Sequence, residues 1–452
     1  MLRPKHNTRP VPASCRLAVL AASLLTADLA AAQSLTYGPI LGRGYTPDQM
    51  LVHWGTGSAN DATAVAYRKK GDSNWQMVSG AATRDHELTL GGLTAGTTYE
   101  YEVRSLAGNP VGATFTTCPL PGRPMDFVFY GDSRSGASEH ATIVAQVSGK
   151  APEMVFESGD IVADGSYSRY LSEFFPTVQM LARSTPFMAA PGNHDASANL
   201  ATNFGLLFPA PRPAGAAWQS YYSFTCGNAL FLGLDSNSAG DATQLKFVTD
   251  HLQAARNDAT IDHVLVWLHH APYSVGLHGD NSTVQSQWVP LFNDPQNKVS
   301  AVFAGHDHLY ARMNDGSNVL YIVSGGAGAG LYPELATSKA KKVVAKSAFN
   351  FVAVHLAATT LSGVAYDDTG TPIDHFMLTK GSPPTGDDTP DMASSGGNDA
   401  GTDGGADLAV TPPPPAGGCA VAAPGSAAST DWLGAALLLG LVALWRRARR
   451  TA

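Results

Sequence analysis

The sequence predicts an α/β domain preceded by a small all-β domain, and three observations lead to it. Residues 36–118 hold short apolar runs separated by Gly, Asn and Asp. Residues 124–380 alternate apolar strand runs with segments whose apolar residues fall three and four apart, as helices place them. Five of the strand runs in that second region end in residues able to bind a metal.

The elements follow in chain order. Arg3, Lys5, Arg9 and Arg16 precede "LAVLAASLLTADLAAA", which ends in small residues. A basic n-region, an apolar core and small residues at a cleavage point after Ala32 predict a secretory signal over residues 1–32. The apolar run falls short of the roughly 20 residues of a spanning helix. In "TTYEYEVRSL", Tyr99, Tyr101 and Val103 alternate with Glu100, Glu102 and Arg104. That period of two is a strand with one wet face. "QMLVHWGT", "TAVAYRKK", "HELTLGGL" and "GATFTT" are runs of the same kind, and together they predict a small sandwich. No chemistry-bearing cluster lies in it, so its expected task is to orient or present the second domain.

The second domain has the strand runs "MDFVFYGD", "EMVFESGD", "FMAAPGNHD", "ALFLGLDS", "HVLVWLHHAPY", "SAVFAGHDH" and "VLYIVSGG". "SEHATIVAQVSGK" and "TQLKFVTDHLQAAR" read as helices. Nearly continuous apolar strands are buried on both faces. In open α/β sheets, ligands bind beyond the carboxyl ends of the strands. One edge should therefore gather Asp132 of "GDSR", Asp160 of "SGDIV", Asn193 and His194 of "PGNHD", His269 and His270 of "LHHAPY", and His306 and His308 of "GHDH".

Residues 381–428 are rich in Gly, Pro, Asp, Ser and Ala. Such a segment buries too little apolar surface to fold and is expected to be a disordered linker. Residues 429–452 carry an apolar run followed by an arginine cluster. The order Gly-Cys at Cys419, apolar run, arginines resembles the C-terminal sorting tags of myxobacteria. It implies attachment to the membrane or cell envelope; a plain membrane anchor with arginines inside is the alternative. Four cysteines are present, of which Cys118 and Cys226 fall in the folded part. In an oxidising compartment they are expected to pair. The net charge of −8 and a pI near 5.9 argue against a nucleic-acid backbone binder. They leave small phosphate esters open, because a bound metal supplies its own local positive charge.

The five clusters, in their order and spacing, resemble the calcineurin-like metallophosphoesterases. The preceding β-region, "YGPIL…LVHWGT…HELTLGGLTAGTTYEYEVRS…ATFTT", resembles the fibronectin-III-like domain of the purple acid phosphatases. The resemblance implies a four-layer α/β/β/α sandwich. It also implies two metal ions, each held by a mixed oxygen and nitrogen shell that suits Fe, Zn or Mn. Such ions stand about 3.5–4 Å apart, clamp a phosphoryl group and activate water. By the family pattern Asp160 bridges them. Asp132 and His308 complete one shell; Asn193, His269 and His306 complete the other. The offsets to Tyr273 and His278 favour His269 as the ligand, whereas Pro272 fits His270. His194 should sit over the substrate with Asp195 orienting its ring, and His278 should face the substrate.

One position departs from the pattern. Where many relatives have Asp-x-His, this chain has Asp132-Ser133-Arg134. The purple phosphatases instead use a tyrosine three residues after the bridging aspartate, and here that residue is Ala163. Arginine stays protonated and cannot ligate, but its fork suits a phosphate. His140 and Tyr167 are the possible substitutes; His140 shares a helix face with Ile143, Val144 and Val147, which favours a buried structural role. The expected function is an exported phosphomonoesterase of acid-phosphatase type acting on a small phosphate ester. A phosphodiesterase or nucleotidase, or a catalytically reduced surface-binding protein, is the alternative.

Overall fold

The computed structural model describes residues 35–104, 110–382 and 384–385. The expected secretory signal, nearly all of the linker and the 429–452 tail lie outside them. Among the described residues no helix is long and apolar enough to cross a membrane.

The N-terminal region is a two-sheet sandwich. Strands β1 (Leu35–Arg43), β2 (Met50–Thr56) and β5 (Asp85–Leu90) form one sheet; β4 (Gln76–Gly80), β3 (Thr63–Lys69), β6 (Thr98–Val103) and β7 (Val111–Thr116) form the other. Tyr99, Tyr101 and Val103 point inward against Trp54, Val65 and Phe115, as the alternation in β6 requires.

The second region is built on two larger sheets. One runs β10 (Phe187–Ala189), β9 (Met154–Glu157), β8 (Met125–Tyr130), β18 (Asn350–Leu356), β19 (Thr360–Asp367), β20 (Pro372–Thr379). The other runs β11 (Tyr222–Cys226), β12 (Ala229–Gly233), β13 (His263–His270), β14 (Val299–Gly305), β16 (Leu320–Ser324), β15 (Tyr310–Asn314), β17 (Lys341–Lys346). Side-chain parity shows how they stack. In β8, Phe127 and Phe129 enter the core between the sheets, while Val128 and Tyr130 face the core under helices Ala137–Gly149 and Phe175–Ala182. In β13, Leu265 and Trp267 face the other sheet, while Val264, Val266 and Leu268 face the core under helix Ala242–Asn257. Four layers result, α/β/β/α, with each central strand apolar on both faces. Rings fill the middle: Phe129 stacks on Phe303 at 3.7 Å and on Phe156 at 4.5 Å. Each such pair adds about 0.5–1.5 kcal/mol beyond its buried area.

A buried ion cluster also ties the two sheets. Arg312 of β15 donates Nε and Nη2 to the two carboxylate oxygens of Asp374 on β20, at 2.6 and 2.9 Å, and Tyr310 donates its hydroxyl to the same group at 2.6 Å. The bidentate fork satisfies a charge that has no water to turn to.

The sandwich is seated on the second region rather than tethered to it. Tyr37 of β1 stacks on Phe175 at 4.7 Å. Arg43 donates to the carbonyls of Thr116 and Glu153. The Tyr101 hydroxyl donates to the Arg183 carbonyl at 2.7 Å, and Tyr167 donates to Asp85 at 2.6 Å. Cys118 and Cys226 form a disulfide with their Cα atoms 5.2 Å apart, joining the interdomain connection to β11. The bond closes a loop of 108 residues, for which loop entropy gives about 4–5 kcal/mol. Cys118→Ser/Cys226→Ser should therefore lower the thermal midpoint by several degrees; equal melting of the oxidised protein and the variant would show that the bond contributes nothing.

His140 lies in the core, stacked on Phe174 with its ring 3.5 Å from the Tyr130 hydroxyl. Burial pulls its pKa down to about 3. The unfolded chain thus binds a proton that the native ring refuses. Its share of stability is full above about pH 6.5 and is lost as pH falls toward 3, on the order of 4 kcal/mol in all. His140→Phe should flatten the decline of the thermal midpoint between those pH values relative to the unsubstituted protein, and parallel declines would contradict it.

Candidate metal centre

Four loops and the end of β13 deliver the site, and three of the loop residues adopt a strained backbone. Asp132, Asp160 and His306 have φ of 60, 55 and 69°. Positive φ is uncommon outside glycine, and Asp and His are among the residues that accept it best. The turns leave each side chain pointing back over a strand end. Neighbouring glycines make room: a Cβ on Gly192 would lie 2.2 Å from Asp160 Oδ1, and one on Gly305 would lie 2.3 Å from Asp132 Oδ2.

Two of the imidazoles have fixed tautomers. His269 Nδ1 donates to the Ser158 carbonyl at 2.9 Å, and His308 Nδ1 donates to the Gly330 carbonyl at 2.7 Å. A carbonyl can only accept, so the proton sits on Nδ1 of each neutral ring and Nε2 presents a lone pair. The His269 lone pair faces Asn193 Oδ1 at 3.0 Å, His306 Nδ1 at 3.1 Å and Asp160 Oδ1 at 3.4 Å. The His308 lone pair faces Asp132 Oδ1 at 3.5 Å. That oxygen is buried and accepts no hydrogen bond, while its partner Oδ2 accepts the His306 N–H at 2.8 Å. Asp132 Oδ1, left without a donor, and the lone pairs of His269 and His308 beside it call for a cation, and this set of oxygen and nitrogen atoms fits metal ions on both sides of Asp160.

The electrostatics agree. Burial raises Asp132, and burial followed by the Asp160 charge takes Asp195 up to about 7. Burial, then the neighbouring imidazoles, pulls His269 and His306 well down. The His269 and His306 rings are thus held neutral; at His308 burial is outweighed by the hydrogen bond and charge of Asp132, which raise its pKa, so the crowded carboxylates draw positive charge toward them.

Strand parity separates the two adjacent histidines. His269 continues the Leu265 and Trp267 face, between the sheets; it is buried and reaches Asn193 and Asp160. His270 falls on the opposite face, where its Nδ1 meets the Ser236 hydroxyl at 2.9 Å, though its ring still stands 4.4 Å from that of His306.

One expectation needs correction. Asp195 does not orient His194. Its carboxylate turns inward, where Oδ2 accepts the N–H groups of Asp160, Gly192 and Ile161 and Oδ1 accepts the Tyr170 hydroxyl. Asp195 thus braces the loop bearing Asp160. The His194 ring is held by the Ala163 carbonyl, which accepts from Nδ1 at 2.6 Å and leaves Nε2 facing Asp160 Oδ2 at 3.8 Å. The suggested substitute ligands are also committed elsewhere: His140 is in the core, and Tyr167 bonds to Asp85 of the sandwich.

Arg134 lies at the centre. Its backbone N–H donates to the Asp160 carbonyl at 3.2 Å, and its Nε stands 3.3 Å from Asp160 Oδ2. His278 is at the rim, its ring stacked on His306 at 4.0 Å. Several contributors were missed in the sequence. Asp307, between the two histidines of "GHDH", accepts the N–H groups of His278 and Gly279 and the Ser274 hydroxyl, so it sets the loop that carries His278. Buried Glu157 accepts a hydrogen bond from Ser133 and fixes the turn after Asp132. Tyr332 stacks on His308 at 4.0 Å and walls the Asp132 side; the one hint of it was an aromatic closing the glycine-rich run after β16.

With this geometry in hand, known proteins can be compared. Residues 125–310 match the calcineurin-like phosphoesterase family model. Residues 39–117 match the purple acid phosphatase N-terminal domain. Tartrate-resistant acid phosphatase type 5 of Sus scrofa is 27% identical over 208 residues, which cover 41% of this chain and 57% of that protein. Purple acid phosphatase 23 of Arabidopsis thaliana is 25% identical over 288 residues, covering 54% and 62%. The chain thus spans about three-fifths of the length of these curated relatives. Among solved structures, purple acid phosphatase PPD1 from yellow lupin (Lupinus luteus) superposes with a TM-score of 0.63 at 19% identity, covering 75% of this chain and 74% of its own. A PhoD structure gives 0.61 at 12% identity, covering 80% and 93%. At these identities the likeness establishes the fold: a mixed α/β metallophosphoesterase fold behind an N-terminal β-sandwich.

The inward carboxylate of Asp195 gives a direct test. Asp195→Ala strands three backbone donors and a tyrosine hydroxyl, and should cost on the order of 2–4 kcal/mol in unfolding free energy. Urea titration checks this; a loss below about 0.5 kcal/mol, the range of a neutral surface change, would contradict the bracing role.

Proposed function

We propose that this chain is a metal-dependent phosphoester hydrolase, an exported phosphomonoesterase of acid-phosphatase type. The observation that carries the reading is the gathering of Asn193 Oδ1, His269 Nε2, His306 Nδ1 and Asp160 Oδ1 on one side, beside a second group in which His308 Nε2 faces the unpartnered Asp132 Oδ1. In this reading Asp160 is shared by two ions, of Fe, Zn or Mn type by donor chemistry. Asp132 and His308 hold one; Asn193, His269 and His306 hold the other. When bound, the ions supply Lewis acidity toward the phosphoryl oxygens and lower the pKa of the attacking water.

The chain's own residues account for the rest. Arg134 sets a permanent positive charge beside the carboxylate, where an anionic ester can meet its fork. His194, anchored through Nδ1 by Ala163, keeps Nε2 free to carry a proton to the leaving oxygen. His278 stands at the mouth over His306 and can bond an ester oxygen. Tyr332 and the 274–279 loop bound the entrance.

The organisation around this domain belongs to the same proposal. Residues 1–32 direct export, the 36–118 sandwich is fibronectin-III-like and presents the 124–380 domain, and residues 429–452, after the 381–428 linker, attach the protein to the envelope. The disulfide supports an oxidising compartment.

Metal analysis of the purified protein, with turnover of phosphate mono- and diesters, tests the assignment. Monoesters should be hydrolysed faster than diesters, and Asp160→Asn should cut turnover at least about a hundredfold and lower metal content, since the shared group loses its charge. Preference for diesters would favour a phosphodiesterase; undiminished turnover in Asp160→Asn would exclude this centre.

A further inference from the structure

We propose that Arg134 is a built-in cation on the Asp132 side of the centre, so that the two metal positions differ sharply in affinity. The Asn193–His269–His306 position holds its ion firmly, and the Asp132–His308 position fills only by displacing a guanidinium. This rests on the two-ion reading above and goes beyond it, because it ranks the two positions and names the group that ranks them.

The argument starts from the two oxygens of Asp160. A bridging carboxylate must give one oxygen to each ion. Oδ1 faces His269 Nε2 and accepts the His194 N–H at 2.8 Å. Oδ2 is the oxygen left for the Asp132 side, and Arg134 Nε stands 3.3 Å from it. This is no loose surface pair: the side chain of Arg134 is 17% exposed and that of Asp160 2%. Its root is fixed as well, since the Arg134 N–H is bonded to the Asp160 carbonyl and the Ser133 hydroxyl to buried Glu157.

Charge counting shows what the guanidinium takes away. Asp132 and Asp160 place two negative charges around the Asp132 position, and the guanidinium already offsets one. A guanidinium cannot lose its proton to make way. An incoming ion must push it off Oδ2 and then endure it nearby, in a pocket where unlike charges attract and like charges repel more strongly than in water. The other position has neutral imidazoles, an amide oxygen and Asp160 Oδ1. Neither position 134 nor position 163 offers the Asp132 side a further ligand. The same residue would then pass from Asp160 to the ester phosphate when the second ion arrives, since both partners are anionic oxygens suited to its fork.

The test is Zn2+ binding to the metal-stripped full chain, followed by calorimetry and by metal content after dialysis. The unsubstituted protein should bind in two steps at least about tenfold apart and retain roughly one equivalent. Arg134→Gln removes the charge and should tighten the second step at least about tenfold, with the first step unchanged. Arg134→Lys keeps a cation and should leave two separated steps. Two equally tight ions in the unsubstituted protein would overturn the proposal and leave the two-ion reading intact. A weaker second step in Arg134→Gln would overturn it too, by showing that Arg134 holds the metal shell together. Protein that binds no Zn2+ would overturn the metal-centre reading itself and this proposal with it. Unchanged thermal midpoints of the stripped variants establish that the fold is not what altered the binding.

Discussion

The centre depends on one buried carboxylate having its two oxygens divided. Asp160 reaches toward the imidazole cluster with one and toward Arg134 and His194 with the other. Its backbone is held as tightly as its side chain. The Asp160 N–H is donated to Asp195, its carbonyl accepts from Arg134, and its φ is positive. A carboxylate this confined cannot relax toward water. Its position is imposed by the turn after β9, and that turn is imposed by Asp195 and Tyr170 beneath it. Burying acidic groups is costly unless cations offset their charge, which is the physical basis of the metal centre proposed above.

The scaffold converts strand order into geometry. Parallel strands β8, β9 and β10 on one sheet and β12, β13 and β14 on the other end at the same edge. The aromatic layer between the sheets fixes their separation, and the Arg312–Asp374–Tyr310 cluster joins them through β15 and β20. Most of the donors come from loops and His269 from the end of β13 itself, and the loops spring from strands whose both faces are packed.

Much of this was legible in the sequence, for a physical reason. Strands buried on both faces must be apolar throughout, so a polar residue at their end stands out; Asp132, Asp160, Asn193, His269, His306 and His308 were found that way. The two-sheet layering follows from the same runs once a family resemblance supplies the topology. What stayed hidden was direction. Nothing in "GNHD" tells whether Asp195 turns toward His194 or away, because that depends on which donors the neighbouring turn leaves unpaired. That His269 faces between the sheets and His270 the opposite side could be read only from the parity of β13 relative to the second sheet. Glu157 was invisible, and Tyr332 only hinted at, because their partners Ser133 and His308 lie far off in sequence. The match of residues 39–117 to the purple acid phosphatase N-terminal domain agrees with the β-region resemblance.

The sandwich has a further consequence as a mechanical part. Tyr37 fills a place beside Phe175, and β1 packs along the helix Phe175–Ala182. The 164–167 segment that meets Asp85 begins next to the Ala163 carbonyl that grips His194. Cutting the chain between the two regions would uncover apolar surface on the larger one and unsupport the peptide that holds the His194 ring. The smaller region is a splint rather than a passenger. A graft of the α/β body onto a different β-sandwich would need a replacement aromatic wedge where Tyr37 meets Phe175.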